Sequence, residues 1–347
     1  MKYLISIVSE QPVPNYLLIK ELKDIDKYIF ISTTEMEKKG VSKNIYTTAQ
    51  IPKEKRTEIV ASNESLSEIK KRLNKLNLNS ENEYYVNITG GTKIMSIAIW
   101  EYFRQFPSHK FYYFPINKNS FKEIKNDEEI ENTINYNLSV KEYLNLYGID
   151  FNQDEIIFNN EQVLDIFKEV ESTNFIIYDF PKNELEELGI SNYNYQHIHT
   201  KWFEEYIYYK IKKSLNIPNE SIKTGIKIYF LDSNRNANYL QNDNEIDVFF
   251  IYKNTPFIVE AKFSIGIEKI NIQNIYNYLY KLSSINNYFG LRAKSVLMTL
   301  STFENNGQNF IENLKRKCQL LNVYFPFDRN KIISDAIFNN ELKNFCK

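Results

Sequence analysis

The feature that most restricts the fold is a repeated change of hydrophobic period along the first 116 residues. Short apolar runs at 3–8, 28–32, 84–89 and 110–116 alternate with helix-period segments at about 14–23, 64–77 and 92–105. Apolar runs of this length between turn signals suit buried strands, and apolar positions recurring every three to four residues suit amphipathic helices. Strands alternating with helices imply βαβ units and a mostly parallel sheet. Right-handed crossovers then give an open Rossmann-like sheet, whose ligand crevice lies at the carboxyl ends of its strands. This α/β domain is expected over 1–135.

Residues 117–200 change character, being rich in Asn, Glu and Asp with short helical stretches at 140–147 and 161–170. The expectation for 136–195 is a helical linker. From 201 the pattern reads helix (202–214), two strands (245–252 and 257–263), helix (272–283) and strand (293–299). A second α/β domain is therefore expected over 196–347. At 347 residues the chain is long enough for two cores. Its two cysteines, Cys318 and Cys346, exclude a disulfide scaffold and a thiolate zinc cage, and suit the reducing cytoplasm. No segment approaches about 18 uninterrupted apolar residues, so no membrane span is expected. The net charge of −1 hides an asymmetry: residues 195–347 carry 20 Lys and Arg against 14 Asp and Glu, while the first 194 are acidic. A basic second half favours a polyanionic partner.

The second half holds the sharper chemical pattern. In the run 244–250 (NEIDVFF), strand alternation puts Asp247 on the face opposite Val248 and Phe250. A carboxylate in so apolar a strand needs compensation. The chain turns at 253–256 and returns through Glu260, Ala261 and Lys262. Pairing Tyr252 with Phe257 sets Asp247 opposite Lys262, with Glu260 diagonal to it on the same face. Such neighbours lie within about 5–8 Å. Two carboxylates that close repel unless a cation lies between them. A divalent ion held by Asp247, Glu260 and the Ala261 carbonyl suits Mg²⁺ or Mn²⁺. Lys262 would meet a substrate phosphate or the attacking water. An exposed hairpin with a salt bridge is the plainer alternative.

In the first half, the strand at 84–89 runs into Asn87-Ile88-Thr89-Gly90-Gly91-Thr92-Lys93-Ile94-Met95. Two glycines between strand and helix permit close approach of a ligand, and the helix start offers unpaired N–H groups. Neither GxxxxGK[ST] nor GxGxxG is present, so this is no Walker loop and no dinucleotide fingerprint. A plain helix cap is the alternative. The helix 94–103 is apolar on nearly every side and is expected to be buried, with its polar start facing a crevice. The loop Ser9-Glu10-Gln11-Pro12-Val13-Pro14-Asn15 should lie at the same sheet edge.

These runs together resemble a known family. The 9–12 loop and the 87–95 run are similar to CRISPR-associated Rossmann-fold (CARF) domains. Residues 202–206 (WFEEY), 244–247 (NEID), Glu260-Ala261-Lys262 and 280–282 (YKL) resemble the PD-(D/E)xK restriction-endonuclease-like half of type III CRISPR ancillary nucleases. Ala261 stands where many relatives have Cys, which touches only the backbone-carbonyl role. The resemblance implies a homodimer with a composite pocket for a two-fold symmetric cyclic oligoadenylate, cyclic tetra-adenylate above all. It assigns Ser9, Gln11, Asn15, Asn87, Thr89, Gly90, Gly91, Thr92, Lys93 and Met95 to that pocket. It implies metal-dependent cleavage of single-stranded DNA or RNA, or nicking of duplex DNA, by Asp247, Glu260 and Lys262. Glu204, with Glu205 as the competing position, and Lys281 complete that site, and Gln273 lies eight residues before Lys281. Three rival readings are a cyclic-oligoadenylate-sensing regulator without polynucleotide cleavage, a ring nuclease that degrades its own ligand, and a two-domain protein with a nucleotide pocket and no activity.

Overall fold

The computed structural model describes residues 1–116, 118–126, 128–172, 175, 195–232, 234–237, 244–264, 272–303 and 306–347. Residues 173–174 and 176–194 of the expected linker at 136–195 lie outside the described residues, as do the side chains of His197 and His199. The chain forms two compact units. One comprises Met1–Asp150, Tyr229–Leu240 and Gly290–Arg292, the other Phe151–Ile228, Gln241–Phe289 and Ala293–Lys347.

The first unit is built on a seven-stranded sheet: β1 (Lys2–Ile7), β2 (Lys27–Ser32), β3 (Arg56–Val60), β4 (Glu83–Asn87), β5 (His109–Tyr113), β6 (Ser120–Lys125) and β7 (Glu128–Thr133), in the order β3-β2-β1-β4-β5-β6-β7. The first five spatial neighbours are parallel and the last two antiparallel. The order reverses between β1 and β4. In an open α/β sheet that is where ligands bind, beyond the carboxyl ends of the two strands. The Rossmann-like α/β expectation is met. β3 and the hairpin β6–β7 were not expected. Their charged, half-exposed sequences carry none of the apolar signal of the inner strands.

Helices Val13–Glu21, Leu66–Asn74 and Lys93–Phe103 fall where the periodicity put them. Lys93–Phe103 packs Met95, Ala98, Ile99 and Phe103 onto Ile5, Ile7, Tyr84 and Val86. The helix is not buried all round, however. Ile94 is 37% and Ile97 54% exposed, because i and i+3 positions share an outward stripe. Helix Val140–Leu146 also belongs to this unit, and Ser139 and Glu142 close a capping box at its start.

The second unit is built on most of a six-stranded sheet: β8 (Ile149–Gln153), β9 (Ile222–Phe230), β10 (Asn244–Tyr252), β11 (Thr255–Lys262), β12 (Lys294–Thr299) and β13 (Tyr324–Phe327), in the order β13-β12-β11-β10-β9-β8. β11, β12 and β13 are parallel, and β10 runs antiparallel to its neighbours β9 and β11. Helix Tyr195–Leu215 lays Trp202, Phe203, Ile207 and Ile211 over Val248, Phe250, Val259 and Ala261. Helix Ile272–Asn286 buries Ile275, Leu279, Leu282 and Ile285. With both faces covered, β10 and β11 are buried almost throughout, as inner strands must be.

Candidate functional site

The β10–β11 hairpin differs in register from the expected one. Tyr252 pairs with Thr255, and the ladder runs back to Val248 with Val259. The turn is the two residues Lys253 and Asn254, both at positive φ (49° and 59°). That is the geometry which matches the twist of a tight hairpin. The slip is two residues, so every side chain keeps its face. One rung beyond Val248–Val259, Asp247 is therefore opposed by Glu260 rather than by Lys262.

The carboxylates do come together, with lysines between them. Asp247 is 4% and Glu260 3% exposed. Asp247 Oδ2 accepts from the Ala261 N–H (2.8 Å) and from Lys262 Nζ (2.7 Å). Lys262 Nζ lies 2.9 Å from Glu260 Oε1, and Lys281 Nζ donates to Glu260 Oε2 at 2.6 Å. The Lys262 ammonium thus bridges two buried carboxylates, and Lys281 braces the second from helix Ile272–Asn286. Burial and the Asp247 charge push the Glu260 pKa up, against the pull of Lys262 and Lys281. Burial works against the Lys262 ammonium, but Asp247 and Glu260 outweigh it and hold its pKa above the ordinary lysine value. Gln273, on the same helix as Lys281, is exposed.

Adjacent glutamates on helix Tyr195–Leu215 take different roles. Glu205 is fully buried and accepts the N–H groups of Ile157 and Phe158, both at 2.8 Å. It caps a loop. Glu204 is turned toward the charge cluster: burial, then Asp247, push its pKa up to about 8, against Lys201 and Lys262. Lys201 lies 3.3 Å from Glu204 Oε2 and 3.6 Å from Asp154 Oδ2, with Lys227 3.0 Å from Asp154 Oδ1. Sequence reasoning missed Lys201, Asp154 and Lys227. The available signals were a lysine one turn before Glu204 in an apolar helix and a glycine, Gly225, inside a strand pattern.

Among the described residues, no group of three or more His, Cys, Asp or Glu side chains is arranged to hold a metal ion. The donor set nonetheless suits a cation. Asp247 and Glu260 share one buried site, and burial together with the Asp247 charge raises both Glu260 and Glu204. Lys262 and Lys281 balance the Asp247 and Glu260 carboxylates here, and a divalent ion could take the place of an ammonium between them.

In the first unit, the loops after β1 and β4 meet at the order reversal. Asn87 Nδ2 donates to Asn15 Oδ1 (2.7 Å), and Asn15 Nδ2 donates to the Ile7 carbonyl (2.9 Å). Asn87 Oδ1 accepts the Thr89 hydroxyl (2.6 Å) and N–H (3.1 Å), and Thr89 Oγ1 accepts the Phe114 N–H (3.0 Å). Asn15, Asn87 and Met95 are buried, so they shape the loops from beneath. The glycines are set by packing: a Cβ on Gly90 would lie 2.5 Å from the Ile7 carbonyl oxygen, and one on Gly91, at φ 76°, would overlap Ile7 Cγ2. Gln11 Oε1 accepts from Tyr147 Oη (3.3 Å) and the Leu291 N–H (3.2 Å), and Ser9 Oγ from the Gln11 N–H (3.4 Å). Thr92 caps helix Lys93–Phe103 by accepting the Met95 N–H, and donates to the Asn63 carbonyl (2.8 Å). Gly91, Thr92 and Lys93 are exposed at that helix start.

Known proteins share the fold of both units. Residues 3–143 match the family model of the Card1 CARF domain, so the first unit is a CARF domain. The chain as a whole shares its fold with solved structures. It superposes on Can2 from Sulfobacillus thermosulfidooxidans, solved in complex with cyclic tetra-adenylate, over 100% of both chains, with 19% identity and a TM-score of 0.71. VC1899 from Vibrio cholerae matches over 99% of this chain and 98% of that one, with 15% identity and a TM-score of 0.71. A type III CRISPR defence DNA nuclease activated by cyclic oligoadenylate matches with 15% identity and a TM-score of 0.63. That match covers 91% of this chain and 51% of the nuclease, about half its length. No curated protein sequence matches. The resemblance expected from the sequence is met, over the first unit by the family model and over the whole chain by the fold. Among the described residues, no helix is long and apolar enough to cross a membrane.

Proposed function

We propose that the protein is a cytoplasmic effector of type III CRISPR defence, in which cyclic tetra-adenylate bound to the first unit switches on metal-dependent cleavage of nucleic acid by the second. The observation that carries the reading is the buried Asp247–Lys262–Glu260–Lys281 array in a unit joined to a CARF domain. Four buried or half-buried charges on two strands and a helix are costly for stability alone. They are what hydrolysis of a phosphodiester requires.

Asp247, Glu260 and the Ala261 carbonyl would hold Mn²⁺ or Mg²⁺. When bound, such an ion acidifies water and offsets charge on the phosphoryl group in the transition state. The remaining work falls to the chain. Lys262 and Lys281 place two ammonium groups beside the carboxylates, where a phosphate oxygen gathering charge can be met. Glu204, with its pKa pushed up to about 8, can hold or release a proton near neutral pH. The substrate is single-stranded DNA or RNA, with nicking of duplex DNA as a further outcome.

In the sensor, Lys93 and the exposed start of its helix attract an anion, while Thr89, Gly90, Gly91, Thr92, Ser9 and Gln11 shape the surface that meets it. A symmetric ring would be shared by two copies of the chain, making the working form a homodimer. A ring that prefers the closed dimer by about 5.5 kcal/mol moves the switch from 1:99 to 99:1. The reading is tested by incubating labelled single-stranded DNA, RNA and plasmid with Mn²⁺, with and without each cyclic oligoadenylate. Cleavage only in the presence of the ring is expected. Loss of the ring over time with every polynucleotide intact would point to a ring nuclease instead.

A further inference from the structure

One turn before Glu204, helix Tyr195–Leu215 carries a lysine that the reading above leaves without a role. Lys201 is 2% exposed. Its ammonium stands 3.3 Å from Glu204 Oε2 and 3.6 Å from Asp154 Oδ2, and neither contact has hydrogen-bond geometry. Asp154 is fixed independently: Lys227 Nζ lies 3.0 Å from its Oδ1, and its N–H donates to the Gly225 carbonyl at 3.0 Å.

Gly225 is the second observation. It sits within β9 at φ 57°, a conformation that strands avoid and side chains resist. A Cβ there would overlap the Lys201 ammonium and come within 3.3 Å of Asp154 Cβ. The strand thus lacks a side chain at the point where the ammonium lies. A buried lysine that served packing alone would need no charge, and a neutral residue of its length would fill the space at lower cost.

The charges form two ion-paired chains, Lys227–Asp154–Lys201–Glu204 and Asp247–Lys262–Glu260–Lys281, and the Asp247 charge acts on Glu204 across the gap between them. Among the described residues, the carboxylates of Asp154, Glu204, Asp247 and Glu260 are met by the ammonium groups of Lys201, Lys227, Lys262 and Lys281. Lys201 is the member that joins the Asp154 end to Glu204. Helix geometry fixes this, since residues three apart lie on one face.

We propose that Lys201 is a positioning residue of the cleavage site: with Asp154 and Gly225 it forms a buried cationic post that holds Glu204 toward Asp247. The proposal rests on the nuclease reading given above. It adds a residue that touches neither substrate nor metal and acts only through Glu204.

The test uses the full chain with cyclic tetra-adenylate and Mn²⁺. Lys201→Met keeps an unbranched stem and removes the charge. Turnover at saturating substrate should fall at least tenfold. KM for the polynucleotide and the ring concentration for half-activation should stay within twofold. Gly225→Ala displaces the ammonium without removing any charge, and should lower turnover three- to tenfold. It keeps the question open to decision if the methionine variant does not fold. A urea double-mutant cycle supplies a readout independent of activity. Lys201→Met should lower the midpoint, and adding Glu204→Gln should recover part of the loss, because the orphaned carboxylate is then gone. Wild-type turnover in both single variants, or additive midpoint shifts, would overturn the proposal. If the wild-type protein cleaves no polynucleotide, the nuclease reading fails, while the urea cycle still decides whether Lys201 holds Glu204.

Discussion

The two candidate sites solve opposite problems. At the β1/β4 loops the buried groups are neutral: Asn15, Asn87 and Thr89 satisfy one another, and the charge, Lys93, is left outside. At the β10–β11 hairpin the buried groups are charged, and Lys262 and Lys281 neutralise them from within. A neutral scaffold with an exposed cation is ready to receive an anion without first breaking an ion pair. A self-neutralised cluster must rearrange its charges to work, which suits a site that stays silent until needed.

The contrast can be broken by mutation. The largest effect is expected in the charged cluster: Asp247→Ala, Glu260→Ala or Lys262→Ala should each cut cleavage by about a hundredfold or more. Binding of cyclic tetra-adenylate, measured by calorimetry, should stay within a few-fold. Chelation by EDTA should silence the wild-type enzyme to the same degree, and Mn²⁺ should restore it. Next comes the exposed cation. Lys93→Glu should weaken ring binding by roughly tenfold or more, since it turns an attraction into a repulsion at the helix start. Ring-independent properties, such as the urea midpoint, should hardly move.

The neighbouring glutamates sharpen the comparison within one helix. Glu205→Gln should cost about 1.5–3 kcal/mol of stability, because two charge-assisted N–H bonds weaken. Turnover at low temperature should survive it, whereas Glu204→Gln should lower turnover. The smallest effect concerns pH. In chelator-treated protein, burial and then Asp247 raise the Glu204 pKa from 4.5 to about 8. A raised pKa means that the folded state holds the proton more tightly. Its contribution to stability is therefore complete below about pH 4.5 and is lost as pH rises through 8. Thermal melts between pH 5 and 9 should show that decline, and Glu204→Gln should flatten it.

Much of this was legible from period and spacing. The parallel core of the first sheet, the crevice at its order reversal and the pairing of an acidic strand with an ExK strand all follow from alternation and turn signals. The hairpin register did not. Lys253-Asn254 lacks the glycine that normally marks a two-residue turn, so a longer connection looked natural. The face of Asp247 survived because the slip was even. Strands β3, β6 and β7 were invisible because outer strands need no apolar run. The resemblance assigns Gln11 and Asn87 to the ligand pocket. Only the fold shows that Gln11 is engaged by Tyr147 and Leu291, and Asn87 by Asn15 and Thr89. Lys201 was hidden for a related reason: its partner Asp154 and its glycine cradle come from distant parts of the chain.

The central claim is that one buried array of carboxylates and lysines, commanded by a cyclic oligoadenylate, cuts nucleic acid. Its most direct test compares wild type and Glu260→Ala on labelled single-stranded DNA and RNA in Mn²⁺, with and without cyclic tetra-adenylate. Cleavage by the wild type with the ring alone, and none by the variant, is the predicted result. Equal cleavage by the variant, or by the wild type without the ring, would contradict it.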